Sequence, residues 1–236
     1  MQKNLLSNSK NKMIDQRFER KYIFGKTNID KIILAIYRSN FNFISSFPDR
    51  IVNSIYFDDN DLSSIADNLD GVTEKKKIRL RWYGSTKLIN NSKLELKQKS
   101  EFLVHKKEYN LQIPKNFEFQ NKKNIKFIKN LINNDKNLRK QITKKTLEPI
   151  LSTHYCRSYF LSSDKLVRLT MDKNIEYIHL ANNKDINIKK KTNNIIIEIK
   201  YRKEIDNLVR KKIDNISVRF SKNSKYIHGA QLLEII

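Results

Sequence analysis

The chain has 236 residues, of which 48 are Lys or Arg and 25 are Asp or Glu, so its formal net charge is +23 at pH 7. Hydrophobic residues make up 39% and aromatic residues 10% of the chain, which is enough for a packed core and argues against wholesale disorder. Its four glycines cannot build a Walker loop or a glycine-rich dinucleotide turn, because both need several positions without a Cβ.

The single cysteine, Cys156, excludes an internal disulfide and a multi-cysteine zinc site, and it favours a reducing, cytoplasmic location. The longest apolar run, residues 32–37, is much shorter than the ~18 residues of a membrane span, so we expect no membrane insertion by this chain. The positive charge instead indicates an anionic partner, such as nucleic acid, acidic lipid, a nucleotide or another polyanion.

Hydrophobic periodicity predicts a single domain over residues 14–236, preceded by a flexible N-terminus over 1–13. In chain order, the pattern predicts strand 14–24, helix 29–38, strand 50–57, helix 61–68, strands 76–83, 93–99 and 102–113, helices 124–133 and 138–146, strands 149–161, 166–172 and 175–180, a loop over 182–193, strand 194–201 and helix 204–216. Asn28 and Asp61 are the predicted N-caps of the first two helices.

Charged residues occupy one face of most predicted strands, because residues i and i+2 of a strand share a face. The charged rows include Glu19 with Lys21, Arg79 with Arg81, Glu95 with Lys97, Arg168 with Asp172, and Glu198 with Lys200. A sheet with one face in water gives the same alternation. However, these rows hold mostly Arg, Lys and Glu rather than Thr, Ser and Gln, and like charges on neighbouring strands repel each other.

We therefore expect an α+β fold: an antiparallel closed β-tunnel of about eight strands, with a basic lumen and helices packed outside. Buried like charges need a counter-charge, which a polyphosphate or the triphosphate of a nucleotide supplies. The scattered carboxylates Glu19, Glu95, Asp172 and Glu198 are candidate metal ligands or partners for the lysines. Oxygen ligands alone suit Mg²⁺ or Mn²⁺.

Eight short segments follow one another in the chain: RFERKY at 17–22, SIYFD at 54–58, KIRLR at 77–81, LELK at 94–97, YCR at 155–157, VRLTMD at 167–172, EIK at 198–200 and FSK at 220–222. In this order they resemble the VTC domain, the polyphosphate polymerase domain of the vacuolar transporter chaperone family, within the triphosphate tunnel metalloenzyme superfamily. The resemblance runs from about residue 17 to 229. It implies an enzyme that moves the γ-phosphoryl group of ATP onto inorganic polyphosphate with a divalent metal.

The resemblance also implies roles for individual residues. The phosphate-gripping catalytic residues carried over from the family are Lys21, Arg79, Arg81, Lys97, Arg157 and Arg168. The implied substrate-binding residues are Tyr155, Lys106, Lys200, Ser221 and Lys222, with Ser224 and Lys225 as the alternative Ser-Lys pair. The implied metal ligands are Glu198 and Glu19.

One position departs from the wider superfamily, whose hydrolytic members carry a Glu-x-Glu-x-Lys signature. Arg17 replaces the first of those glutamates, which favours the polymerase branch. Two alternatives stay open: a metal-dependent triphosphate or nucleotide hydrolase, and a polyanion-binding module without turnover. The expected partners are ATP and polyphosphate, and a membrane-protein partner is compatible with the family. No specific nucleic-acid partner is expected, because aromatic residues such as Trp82 fall mainly on apolar rows.

Overall fold

A computed structural model of the protein describes residues 6–7, 17–25, 28–100, 103–111, 113–114, 117–119, 121–142, 145–180, 188–213 and 224–236. The strands of this part of the chain are β1 (Leu6–Ser7), β2 (Arg17–Phe24), β3 (Ile44–Asp58), β4 (Lys75–Tyr83), β5 (Leu88–Ile89), β6 (Lys93–Ser100), β7 (Leu103–Leu111), β8 (Phe117–Glu118), β9 (Glu148–Leu161), β10 (Arg168–His179), β11 (Lys189–Thr192) and β12 (Ile195–Arg202). Its helices are α1 (Ile29–Arg38), α2 (Ser63–Leu69), α3 (Lys122–Asn134), α4 (Lys136–Ile142), α5 (Asp206–Ile213) and α6 (Lys225–Leu232), with a 3₁₀ turn at Lys203–Ile205.

The main sheet has ten antiparallel strands in the order β1-β7-β6-β4-β3-β9-β10-β12-β2, with β11 added beside β10. The prediction of an antiparallel α+β fold is confirmed, but the prediction of a closed tunnel is wrong for the described residues. The sheet is a curled half-barrel that hydrogen bonds do not close, because β2 and β1 remain at its edges.

Side-chain charges still meet across the open seam. Lys97 on β6 lies close enough to Glu19 and Lys21 on β2 for these groups to influence one another's pKa values. Lys106 on β7 is the direct neighbour of Lys97. Lysines of β2, β6 and β7 therefore lie on both sides of the open seam, where like charges repel one another.

Most helices cover the convex face of the sheet, as expected. The apolar row of β4, with Ile78, Leu80 and Trp82, is buried together with residues of α3 and α4. The apolar rows of β10 and β12 are buried together with residues of α1 and α5. None of the described helices has the length and apolar character needed to cross a membrane.

Helix α6 lies on the opposite, concave face, and the sequence analysis did not predict it. Its Tyr226 stacks on Tyr56 with ring centroids 4.9 Å apart, and Ala230 belongs to the same buried cluster. A Cβ on Gly229 would lie 2.5 Å from Cδ1 of Tyr177, so only glycine permits this approach. The expectation that all helices pack outside is therefore wrong for α6, and also for α2, whose Ile65 is buried in the same cluster.

Two local predictions in the middle of the chain also need correction. The N-cap of α2 is Leu62, with a φ of 54°, rather than Asp61; Asp59 and Asp58 accept hydrogen bonds from the first amides of the helix. The two strands predicted at 166–172 and 175–180 form the single strand β10, with a register shift between Lys173 and Glu176.

The loop predicted at 182–193 contains strand β11, whose Lys189 forms an ion pair with Glu176 on β10. Residues 181–187 of that loop lie outside the described residues, as do residues 14–16 of the first predicted strand. The division between a flexible N-terminus at 1–13 and a domain at 14–236 stays a prediction, although Leu6–Ser7 pairs with β7.

Candidate functional site: a basic groove on the concave face

The concave groove is the surface formed by alternate residues on the inner face of the curled sheet. Directly paired residues of neighbouring antiparallel strands face the same side of a sheet. Arg79 pairs with Tyr56 on one side and Glu95 on the other, and Arg157 pairs with Asp172. Further charged residues of these rows are Glu19, Lys21, Lys77, Arg81, Lys97, Lys106, Glu198 and Lys200.

Glu95 organises the cations of β4 and β7. Nε of Arg79 donates to Oε2 of Glu95 at 2.5 Å, and Nζ of Lys106 donates to Oε1 at 2.7 Å. NH1 of Arg81 lies 3.9 Å from Oε2, and Nε of Arg81 donates to the hydroxyl of Ser54 at 3.4 Å. Burial alone would raise the pKa of Glu95, but the nearby cations, Arg79 first, lower it well below its ordinary value. The carboxylate is thus ionised and fixes three basic side chains.

Glu19 and Glu198 form a second centre on β2 and β12. Nζ of Lys21 lies 2.6 Å from Glu19 and 3.7 Å from Glu198, while Nζ of Lys200 lies 2.5 Å from Glu198 and 3.4 Å from Glu19. Burial opposes ionisation of Glu198, yet the charge of Lys200, followed by that of Lys21, lowers its pKa well below the ordinary value. The predicted metal ligands and two predicted phosphate-binding lysines therefore share one cluster.

Asp172 forms the third centre, in the middle of the sheet. Arg157 donates to both of its carboxylate oxygens, at 2.6 and 2.8 Å, and Nζ of Lys225 lies 2.5 Å from Oδ2. The ring of Tyr155 faces both cations, with its centroid 5.3 Å from Cζ of Arg157 and 4.6 Å from Nζ of Lys225. Burial raises the pKa of Asp172, but the charges of Lys225 and Arg157 outweigh it and lower the pKa.

Lys77 and Tyr56 were missed by the sequence analysis. Nζ of Lys77 lies 5.0 Å from the centroid of the Tyr56 ring and donates to the hydroxyl of Ser224 at 2.8 Å. Burial, together with the charges of Arg79, Lys21 and Lys97, lowers the pKa of Lys77 to about 7. The position was readable from the sequence, because Lys77 lies two residues before Arg79 on the same strand row.

Tyr56 experiences the same positive potential. Burial by itself would raise the pKa of its hydroxyl, but four cations lower it to about 7, with Lys77 the largest contributor. A lysine and a tyrosine that both titrate near neutrality indicate a site with more positive charge than its own carboxylates balance.

The remaining predicted site residues differ in whether they lie in the groove. Lys97 lies in the groove, and its pKa is lowered by burial and by the neighbouring cations. Arg168 is exposed at the start of β10, directly opposite Lys200. Ser221 and Lys222 lie outside the described residues, whereas the alternative pair, Ser224 and Lys225, contacts groove residues.

The Glu19–Glu198 centre fits a divalent metal only if further ligands complete the coordination. The part of the chain described by the structure contains no group of three or more His, Cys, Asp or Glu residues arranged to hold a metal ion. Mg²⁺, however, commonly binds one or two carboxylates together with water and substrate phosphates. The two glutamates offer oxygen donors of this kind, so they could hold Mg²⁺ or Mn²⁺ jointly with a bound phosphate group.

The family model of the VTC domain matches residues 16–234. The chain belongs to the VTC domain family. Its structure resembles that of a candidate adenylate cyclase from Bacillus halodurans at 14% identity and a TM-score of 0.53, covering 91% of this chain and 97% of the other. It also resembles a candidate adenylyl cyclase from Hippeastrum, described as having a dominant triphosphatase activity, at 13% identity and a TM-score of 0.48, covering 91% of this chain and 96% of the other. A comparison with curated proteins found no match.

At these identities the similarity to the Bacillus halodurans protein concerns the fold. It agrees with the half-barrel described above. The membership of this VTC domain in its family supports a function connected with polyphosphate or triphosphate.

Proposed function

We propose that this VTC domain binds the triphosphate of ATP in the concave groove and transfers the γ-phosphoryl group to inorganic polyphosphate. The observation that carries the proposal is the unbalanced positive charge of the groove. Three carboxylate centres hold the cations in place, yet the pKa of the buried Tyr56 hydroxyl still falls to about 7, because Lys77 and three further cations outweigh the effect of burial, which would raise it. A phosphate chain supplies the missing negative charge along the whole row.

The groove residues can support phosphoryl transfer without a conventional base. Phosphoryl transfer passes through a loose transition state with charge spread over the equatorial oxygens, so positioning and electrostatic stabilisation supply most of the catalysis. In the proposed reaction, the terminal oxygen of the phosphate chain forms a bond to the γ-phosphorus of ATP. The bond from that phosphorus to the β,γ-bridging oxygen breaks, its electron pair leaves with ADP, and the chain grows by one phosphate.

Each charge centre has a role in this scheme. Arg79 and Arg81, oriented by Glu95 and Ser54, and Arg157, oriented by Asp172, present their remaining N–H groups to phosphate oxygens. A divalent ion held by Glu19 and Glu198 supplies further neutralisation of phosphate charge when it is bound.

The polymerase is favoured over hydrolysis by the position of Arg17 at the start of β2. Arg17 stands where the hydrolytic branch of the superfamily carries its first signature glutamate, so the Glu19–Glu198 centre offers one carboxylate fewer. The paired position on β12 is Arg202, which adds positive charge rather than a ligand.

The test is incubation of purified protein with ATP and Mn²⁺ or Mg²⁺, with and without a short phosphate primer. Chain length is measured on a gel, and released orthophosphate is measured in parallel. Long chains in the wild type that disappear in Arg81→Ala and Glu198→Gln, but persist in Arg38→Ala, would support a polymerase. Arg38 is an exposed arginine of α1 on the convex face, so it provides the matched control.

Two results would contradict the proposal. Orthophosphate without chains would identify a hydrolase that uses water as the acceptor. A near-normal rate of chain growth in Arg81→Ala would refute the assignment of the groove as the reaction site.

A further inference from the structure

A cluster of aromatic residues surrounds an arginine on the concave face, beyond Arg157. The cluster consists of Phe47 and Arg50 on β3, Tyr83 on β4 and Tyr159 on β9, and we call it the aromatic mouth. Phe47 pairs directly with Tyr159, and Arg50 pairs directly with Arg157. The aromatic mouth therefore continues the row that contains Arg157.

The contacts of Arg50 distinguish it from the other groove cations. Its Cζ lies 5.3 Å from the ring centroid of Phe47 and 5.7 Å from that of Tyr159. Within the described residues Arg50 forms no ion pair with a carboxylate, whereas Arg79 and Arg157 each bind one. Arg50 is exposed, so its guanidinium plane remains accessible to a ligand.

Two of the three aromatic rings are also open to solvent. Phe47 is 54% exposed and Tyr83 is 47% exposed. Phe47 and Tyr159 meet edge to face at 5.9 Å, and Tyr83 is near enough to contribute to the raised pKa of Tyr159, which burial dominates. Single exposed aromatic residues are common on protein surfaces, but Phe47 and Tyr159 against one exposed cation, with Tyr83 near Tyr159 at the end of a charged row, form a stacking surface.

We propose that the aromatic mouth binds the base of a nucleoside triphosphate whose phosphates occupy the concave groove. This inference rests on the proposed function and adds to it a site for the nucleoside base of the phosphoryl donor. A base stacks on aromatic faces and on an arginine plane, and the interaction tolerates any base because every base has a π-face. The register of Arg50 with Arg157 makes base and phosphate sites continuous.

A purely structural role makes a different prediction. Cross-strand aromatic and cation–π pairs stabilise sheets by themselves, so removal of Phe47 could lower stability without affecting any ligand. Ligand discrimination separates the two roles. Removal of a stacking ring must weaken the binding of ATP but not of tripolyphosphate, which has no base, whereas removal of a structural ring must affect both ligands equally or not at all.

The experiment measures dissociation constants of ATP and tripolyphosphate by calorimetry for the wild type, Phe47→Ala and Phe47→Tyr. We expect Phe47→Ala to weaken ATP binding about fivefold or more, the effect of one lost stacking contact, and to leave tripolyphosphate binding unchanged. Phe47→Tyr retains the ring and should retain the affinity for ATP. Phe127→Ala is the matched control, because Phe127 is 42% exposed on α3 and also contacts one aromatic ring, that of Phe117.

Equal losses for both ligands in Phe47→Ala, or no loss for ATP, would overturn the inference while leaving the proposed function intact. If wild-type protein bound tripolyphosphate no better than Arg81→Ala does, the proposed function itself would fail, and the nucleotide site would fail with it. Thermal unfolding of each variant identifies any general loss of stability.

Discussion

Occupation of the groove by phosphate should make the protein take up protons near pH 8. Burial, together with neighbouring cations, lowers the pKa of Lys77 to about 7, and the cations outweigh burial to lower the pKa of Tyr56 to about 7. The charged groups that act on the pair are Arg79, Arg81, Lys21, Lys97 and Lys225. A bound polyanion offsets these charges, so it raises the pKa of the ammonium and of the phenol alike.

The size of the uptake follows from the titration of the pair. Because Lys77 and Tyr56 interact, their protons leave in steps that belong to the pair rather than to either residue. With a first step near pH 7, about nine-tenths of the pairs have lost one proton at pH 8 and about one-tenth at pH 6. If the phosphates move this step well above pH 8, binding takes up about 0.9 proton at pH 8 and about 0.1 proton at pH 6.

The assay is calorimetric titration with tripolyphosphate in buffers of different ionisation enthalpy, at pH 6, 7 and 8. The ligand has its own titrating phosphates, so the informative quantity is the difference from the double variant Tyr56→Phe, Lys77→Arg. That variant keeps the ring and the positive charge but removes both titrating groups. Lys76→Arg is the control, because Lys76 lies on the other face of β4 and donates to the carbonyl of Ile142.

A proton difference that stays near zero from pH 6 to pH 8 would refute the reasoning, as would net proton release relative to the double variant. Either result would mean that the ligand does not neutralise the potential around Lys77. At pH 6 the double variant should bind like the wild type, since arginine preserves the charge, whereas at pH 8 it should bind about tenfold more tightly, because it has no proton to take up.

Two further predictions concern stability. Gly229→Ala should lower the free energy of unfolding by about 1–3 kcal/mol in urea titrations, because the added Cβ would lie 2.5 Å from the ring of Tyr177; Gly25→Ala, whose Cβ would meet nothing within 4 Å, should have little effect. Glu95→Gln should cost about 1.5–3 kcal/mol at pH 7 by removing charged hydrogen bonds. The folded-state pKa of Glu95 is lowered, so its contribution to stability is present above the ordinary value of 4.5 and is lost as the pH falls through the folded-state pKa. The free energy of unfolding should therefore fall less on acidification in the variant than in the wild type.

The sequence predicted the groove well because strand periodicity is a local property. Alternation placed Arg79, Arg81 and Lys97 on one face, and the register of β4 with β6 confirms that they share it. The first helix was also predicted with its observed ends, because Asn28 caps it through its side chain and the amide of Asp30.

Closure of the sheet and the position of α6 could not be read in the same way. Whether two edge strands pair depends on backbone register across the whole barrel and on side chains that meet only in the fold. Helix α6 has the sequence KYIHGAQL, a short segment with glycine and little apolar periodicity. Its stability comes from the stacking of Tyr226 on Tyr56 and from the ion pair of Lys225 with Asp172, which are tertiary contacts.

The aromatic mouth was missed for a related reason. Strand β3 was predicted at 50–57, whereas in the structure it begins at Ile44. The sequence pattern does not extend the strand to Ile44, because proline at position 48 argues against a continuous strand. In the structure the register shifts between Phe47 and Arg50, so an irregular stretch accommodates Pro48 while both flanking side chains stay on the concave face.

The carboxylates of the groove explain how so much positive charge can exist in a folded protein before any ligand binds. Glu95, Asp172 and the Glu19–Glu198 pair each hold two or more cations at hydrogen-bond distance, so repulsion is divided among local ion pairs. Full neutralisation would leave no attraction for an anion, whereas removal of the carboxylates would leave buried charges unpaired. The lowered pKa of Tyr56, which burial alone would raise, indicates that the balance remains incomplete. A phosphate ligand therefore gains binding free energy from charge that the fold itself leaves uncompensated, and it should stabilise the protein by an amount that rises with the logarithm of its concentration divided by its dissociation constant.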